Sequence, residues 1–257
     1  MRKVPLLGVM LLVAAPLSAQ RYPGRARERE PEPERQRAIW PAPRAWIGFS
    51  LQVGQASGIF SNYVNAGIGG GGYFLYRPDA EGVLGLRAGG MFMIYGSQTR
   101  RYPLLPGIAA DVTTRNEIVG MTLGPQLTFG RGAAKLYGYG GIGFSYFATR
   151  SSVEGSGNVN QPFASTTNYD DFTFASEGGG GVWVFLSRGR TPVALDLGVR
   201  YLNNGRVTYV TESGVSVDLA NNRLNVDPID SEANLIVYHL GVVIGLRVRE
   251  RFRRDDD

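Results

Sequence analysis

The chain predicts an all-β fold, an eight-stranded antiparallel up-and-down transmembrane β-barrel. Three observations carry that expectation. The first twenty residues have the build of an export signal. No later apolar run reaches the roughly 20 residues that a membrane helix needs. The remainder alternates apolar with small or polar residues over strand-length runs bounded by Gly and Pro. A chain that crosses a second bilayer with strands must close them, because only a closed barrel satisfies every backbone N–H and C=O without water.

The elements follow in order. Arg2 and Lys3 form a charged start, 4–15 an apolar core and Leu17-Ser18-Ala19 a small-residue cleavage site, so 1–19 reads as a signal peptide. Residues 20–44 are rich in Arg, Glu and Pro and poor in large apolar side chains, and read as a flexible charged linker. Such a linker is either solvated or touches peptidoglycan or anionic headgroups. The barrel is expected over 45–249, and 250–257 is a charged C-terminal tail. The chain has no cysteine, which excludes a lipid-modified thiol and a disulfide framework. The formal net charge of +5 falls to about +3 once Arg2 and Lys3 are removed. That charge is too small and too dispersed for a nucleic-acid partner.

Eight strands are expected near 45–55, 65–77, 82–95, 116–130, 134–149, 170–187, 192–210 and 234–249. The connections alternate in length. Those at 77–82 (RPDAEG), 130–133 (GRGA) and 187–192 (SRGRTP) are short and carry Gly or Pro turn chemistry. Those near 56–64, 96–115, 150–169 and 211–233 are longer. Short turns at one end and long loops at the other are the plan of an outer-membrane barrel, and an even strand number puts both termini at the short-turn, periplasmic end.

Alternation within the strands is strict. Ile47, Phe49, Leu51 and Val53 oppose Gly48, Ser50 and Gln52. Val119, Met121, Leu123, Leu127 and Phe129 oppose Gly120, Thr122, Gly124, Gln126 and Thr128. Val193, Leu195, Leu197, Val199 and Tyr201 oppose Asp196, Gly198 and Arg200. The pattern also suits a soluble lipocalin-like barrel with its apolar face inside. Size separates the two readings: the apolar set is bulky and the other is Gly, Ser, Thr, Gln and charge. An eight-stranded interior is just wide enough for side chains, so the small set belongs inside. Phe74, Tyr76 and Phe129 near the short turns, with Tyr146, Phe172 and Phe174 near the long loops, would form two interfacial belts.

The last strand carries a polar residue, a Gly two positions on and two apolar residues one apart: His239, Gly241, Ile244 and Leu246 in HLGVVIGL. With the strand plan over 45–249, this motif makes the chain resemble the small eight-stranded outer-membrane barrels, OmpA-type transmembrane domains and OmpX- or OmpW-like proteins. The resemblance implies that the motif is an insertion signal read by the outer-membrane insertion machinery. It also implies a place in the outer membrane of a Gram-negative-type bacterium, with outer-membrane lipid as a partner. The chain departs from the pattern in that RERFRRDDD follows the motif and the terminus is not Phe.

Several constellations bear on chemistry. Gly67, Gly69 and Gly72 satisfy G-x-G-x-x-G, but Tyr73 to Tyr76 continue a strand where a dinucleotide site needs a helix. These glycines and the run at 178–181 instead let the wall curve and let large side chains lie across it. The inward face offers Arg87, Glu177, Asp196, Arg200, His239 and Arg247, a lumen charge network expected to pair internally, either as a plug or as a gate. Glu177 and Arg200 are expected at its centre, with Asp196 on the same face one i, i+4 step from Arg200 towards the periplasm and Arg87 reaching in from the far wall. His239, the only histidine, could serve catalysis with Ser50, Ser145 or Ser176, but no nucleophile-elbow motif is present, and no catalytic residue is assigned. Asp218, Asp227, Asp230 and Glu232 fit no known calcium loop. No metal or cofactor is implied. The expected role is non-enzymatic, structural or adhesive, with a narrow gated pore as a further option and the loop ligand unassigned. A barrel enzyme acting on lipid and a soluble periplasmic carrier remain the alternatives.

Overall fold

The computed structural model describes residues 43–79, 82–105, 108–130, 132–155, 164–189, 191–218 and 223–247. The residues expected to form the signal peptide (1–19), the linker as far as residue 42 and the charged tail (250–257) lie outside them. Ten strands appear among these residues: β1 (Ala45–Ser57), β2 (Ala66–Tyr76), β3 (Leu84–Leu105), β4 (Ile108–Phe129), β5 (Ala134–Gly155), β6 (Ala164–Ser187), β7 (Val193–Asn204), β8 (Arg206–Asp218), β9 (Arg223–Glu232) and β10 (Asn234–Leu246). Eight close into an antiparallel barrel in the order β1-β10-β7-β6-β5-β4-β3-β2, and β8 and β9 form a separate hairpin.

Closure runs through the first and last barrel strands, with Ala45 opposite Leu246 and Ser57 opposite Asn234. The barrel thus has no free edge along its trunk, which meets the backbone hydrogen-bonding demand of a bilayer. The side chains sort as the alternation predicts. Leu51 is 75% exposed, while Gln52 beside it is 5% exposed. Exposed large apolar residues recur on every barrel strand, from Phe49 on β1 through Met121 on β4 and Ile142 on β5 to Leu240 on β10. An apolar wall of this extent around a closed barrel is the surface lipid requires, and a soluble carrier would place it inside. Phe74, Tyr76, Phe129, Phe172 and Phe174 are all exposed on the outer face, at the two ends expected.

The long-loop end departs from the sequence expectation. The connections expected at 96–115 and 150–169 are largely strand: β3 and β4 pair as far as Leu105 with Ile108, and β5 reaches Gly155. β6 begins at Ala164 rather than near 170. Ladder hydrogen bonds and rows of β-branched Thr and Val hold these polar segments as sheet where no apolar alternation marks them. Bulges between Ile94 and Gly96, and between Thr149 and Arg150, mark the change from wall to extension. The seventh strand ends at Asn204 rather than 210, and the expected loop at 211–233 contains the β8–β9 hairpin. The first long connection holds a short 3-10 turn, Gly58–Asn62.

Two glycines show what the glycine-rich wall provides. A Cβ on Gly181 would stand 2.5 Å from the Tyr137 hydroxyl, and one on Gly48 would run into the Tyr73 ring. The missing side chains make room for two inward tyrosines that organise the lumen.

Candidate functional site

The lumen is filled in three levels. At the short-turn end Trp46, Tyr73, Leu75, Tyr137, Tyr139, Trp183, Ala194 and Val243 form an apolar floor. Trp46 and Trp183 lie 5.2 Å apart by ring centroid. Arg77 covers the Trp46 ring at 4.7 Å and donates to the carbonyls of Gly82 at 3.1 Å and Pro43 at 3.3 Å. Burial pulls the Arg77 guanidinium down to about 10, against a smaller upward pull from Asp79.

The polar level lies above this floor. Glu177 and Arg200 pair at 3.2 Å, with side chains 3% and 7% exposed respectively. Arg200 also donates to Gln52 Oε1 at 2.9 Å, and Thr122 donates to Glu177 Oε1 at 2.6 Å. Both charges therefore keep hydrogen-bond partners beyond each other, as a buried ion pair requires. Asp196 does not join them. Four residues along β7 from Arg200, it stands roughly 13 Å lower along the strand. There it accepts from Tyr73 at 2.7 Å and Tyr137 at 2.6 Å, and faces His239 Nε2 at 3.5 Å. Arg87 donates to Gln126 at 3.0 Å and lies over the rings of Tyr73 and Tyr139 at 3.5 and 4.2 Å. The inward charges thus occupy two levels rather than one cluster.

Arg247 corrects the sequence expectation: it is exposed and follows the last residue of β10. Its parity is inward, but the wall opposite ends where β1 begins at Ala45, so no lumen surrounds it. Of the proposed insertion signal, His239 and Gly241 face inward while Ile244 and Leu246 lie on the outer face.

Two of the three serines considered as partners for His239 are engaged elsewhere. Its Nε2 lies 2.9 Å from the Tyr137 hydroxyl. Ser50 donates towards the Gly71 carbonyl, Ser176 accepts from Asn203, and Ser145 is fully buried. Among the described residues no group of three or more His, Asp or Glu side chains is placed to hold a metal. Asp230 instead pairs with Arg206 at 3.2 Å.

The long-loop end closes with a second apolar level that sequence reasoning missed. Phe60 of the 3-10 turn meets Tyr209 of β8 at 5.0 Å, Tyr95 of β3 at 5.6 Å and Phe147 of β5 at 6.5 Å. Tyr209 is tied to Ser231 across the hairpin at 2.9 Å, and the Thr208 amide donates to Asp171 of β6 at 2.7 Å. The only available signal is the alternation of Val207, Tyr209 and Thr211 inside a stretch that otherwise reads as strand end and loop. Between the levels, the void lined by Gly89, Gly120, Thr122, Ser145, Glu177 and Arg200 measures about 10 Å3, room for one water at most.

Beyond the rim, β3 to β6 continue as a four-stranded sheet. β2 last pairs at Ile68 with Ile94, and β7 last pairs at Asn204 with Ala175. The roughly 11 residues of β3 and of β6 beyond those points make about 35 Å of strand. Hydroxyl contacts run across this sheet, Thr99 to Thr113 at 3.0 Å, Thr114 to Ser151 at 2.9 Å and Asn168 to Ser151 at 2.6 Å.

No protein-family model matches the chain, and no curated protein matches it. Among solved structures it is similar to Ail, the attachment invasion locus protein of Yersinia pestis. There the identity is 13% and the TM-score 0.42, covering 79% of this chain and 98% of that one. It is similar to Neisserial surface protein A at 14% identity and TM-score 0.38, covering 80% and 99%. It is also similar to a major outer membrane protein from Thermus thermophilus at 15% identity and TM-score 0.40, covering 77% and 98%. The barrel assignment rests on the strand register itself.

Proposed function

We propose that this chain is a non-enzymatic outer-membrane barrel whose role is adhesive or structural, with the projecting sheet as its working surface. One contrast carries the reading. The lumen is packed from floor to lid, whereas β3 to β6 rise beyond the rim with two edges that no ladder pairs among the described residues. A filled barrel is a rigid anchor. Unpaired strand edges and polar loops are where a partner chain or surface can be held. The outer membrane is the compartment such an apolar-walled barrel suits. The long-loop end faces outward in this reading, with both termini in the periplasm, outer-membrane lipid as solvent and the insertion machinery acting on the last strand.

The test displays the full chain on a non-adherent host and measures attachment to cultured cells and matrix-coated surfaces. A variant with residues 98–113 replaced by a two-residue turn should still insert but lose attachment. Attachment that survives the deletion, or that never exceeds the empty host, refutes the adhesive role. A tag inserted between β5 and β6 should be labelled on intact cells, and one at Gly132 should not. The reverse pattern overturns the orientation.

A further inference from the structure

The polar level encloses a small space with polar walls. The void of about 10 Å3 lies beside the Glu177–Arg200 pair and is lined also by Met91, Thr122 and Ser145. Bare backbone helps to keep it open. A Cβ on Gly120 would stand 3.1 Å from Met91 Cγ and 3.4 Å from Ser145 Oγ, and one on Gly89 would stand 3.2 Å from Thr122 Oγ1. Two polar groups on residues lining the void remain once the hydrogen bonds of this level are counted. Ser145 is fully buried, and its Oγ bonds to no described residue. Arg200 commits Nη1 to Glu177 and Nη2 to Gln52 and Met91, which leaves its Nε without an acceptor among the described residues. Buried hydroxyl and guanidinium groups in folded proteins find their partners in protein or in ordered water.

Size and charge select the occupant. A space of this measure admits one water-sized body. A cation there would meet the like charge of Arg200, and an anion that of Glu177, in a core where charges are weakly screened. Water meets neither repulsion. Its oxygen accepts from an N–H or a hydroxyl, and its protons serve a carboxylate or a hydroxyl oxygen. Ser145, Arg200 and Glu177 supply the two to four polar partners that a buried water requires. We propose that the polar level binds one structural water, anchored by the Ser145 hydroxyl against the Glu177–Arg200 pair. The plug is then a unit of two charges, a hydroxyl and a solvent molecule. Ser145, one of the serines weighed as a nucleophile, serves instead to hold that water.

The test crystallises the full chain, refolded in detergent, at a resolution that shows ordered water. One solvent peak is expected within hydrogen-bond distance of Ser145 Oγ. Soaks in sodium bromide and in rubidium chloride separate water from ions, because bromide and rubidium scatter anomalously and should leave no signal in the void. Ser145→Ala removes the hydroxyl and leaves the backbone and the ion pair in place. Its crystals should lose the peak while Glu177 and Arg200 stay paired, and heat-modifiable migration on gels reports that the variant is folded. The unmodified chain decides the question even where that variant fails to fold. An empty void in the unmodified chain overturns the proposal, as does a bromide or rubidium signal inside it. A peak unchanged in Ser145→Ala overturns it as well, because the hydroxyl would then anchor nothing.

Discussion

Removing either partner of the Glu177–Arg200 pair should be among the most damaging single changes in the lumen. At 3.2 Å and an effective dielectric of about 20, their attraction is about 5 kcal/mol before desolvation is subtracted. Both side chains are almost fully enclosed, so solvent screening cannot rescue the survivor. In Glu177→Gln the Arg200 guanidinium keeps the Gln52 oxygen but loses its counter-charge. In Arg200→Met the Glu177 carboxylate keeps only the Thr122 hydroxyl. Each single variant should lose about 3–5 kcal/mol. In the double variant Met fills the space of the arginine stem and neither charge is stranded, so the loss should fall about 2 kcal/mol short of the sum. Reversible urea unfolding in lipid vesicles, followed by tryptophan fluorescence, measures all three. Losses that add to within about 0.5 kcal/mol would show that the two side chains do not interact, and the account of the polar level would fall with them. Planar-bilayer conductance should stay at background in every variant, because the floor and the lid close the lumen independently of this pair.

Three further expectations use other parts of the barrel. Leu197→Arg, on the outer face and paired with Val182 and Leu240, should destabilise by about 2–4 kcal/mol near the bilayer midplane, and unchanged unfolding in vesicles would mean that this face does not meet lipid. Gly198→Ala should cost about 1–3 kcal/mol through overpacking, since its Cβ would stand 2.5 Å from the His239 ring and 2.7 Å from the Gly180 carbonyl, and a neutral result would refute that packing. Burial pushes the Asp79 carboxyl up, but the amides of Val83 and Leu84 outweigh it and hold the group below its ordinary range. Its contribution is therefore fully present above the unfolded value of about 3.9 and is lost as pH falls through the lower folded value. Asp79→Asn should flatten the acid limb of the stability curve in that window, and an unaltered acid limb would show that the turn does not depend on this carboxylate.

Period-two alternation and the lengths of the connections were enough to determine the number of trunk strands, their wall and lumen faces and the short turns. The reason is local: in a strand the side chain's face follows from its parity, and a bilayer wall must be apolar at every outward position. Ile47 to Val53, Val119 to Phe129 and Val193 to Tyr201 could be assigned from the string of letters alone. Glu177 and Arg200 could be brought near each other for the same reason, since both counted back to a shared short turn. Tertiary structure decided what lay beyond parity. Asp196 went to Tyr73, Tyr137 and His239 because two tyrosines, 123 and 59 positions away in sequence, arrive from β2 and β5 over glycines. Arg247 left the lumen because the wall opposite it stops. The polar reaches of β3 to β6 became sheet because each found a partner strand, and Phe60 met Tyr209 because β8 and β9 fold over the mouth. Alternation records which face a residue takes; how far a ladder extends and which inward side chains meet across the lumen depend on closure, which no local pattern encodes.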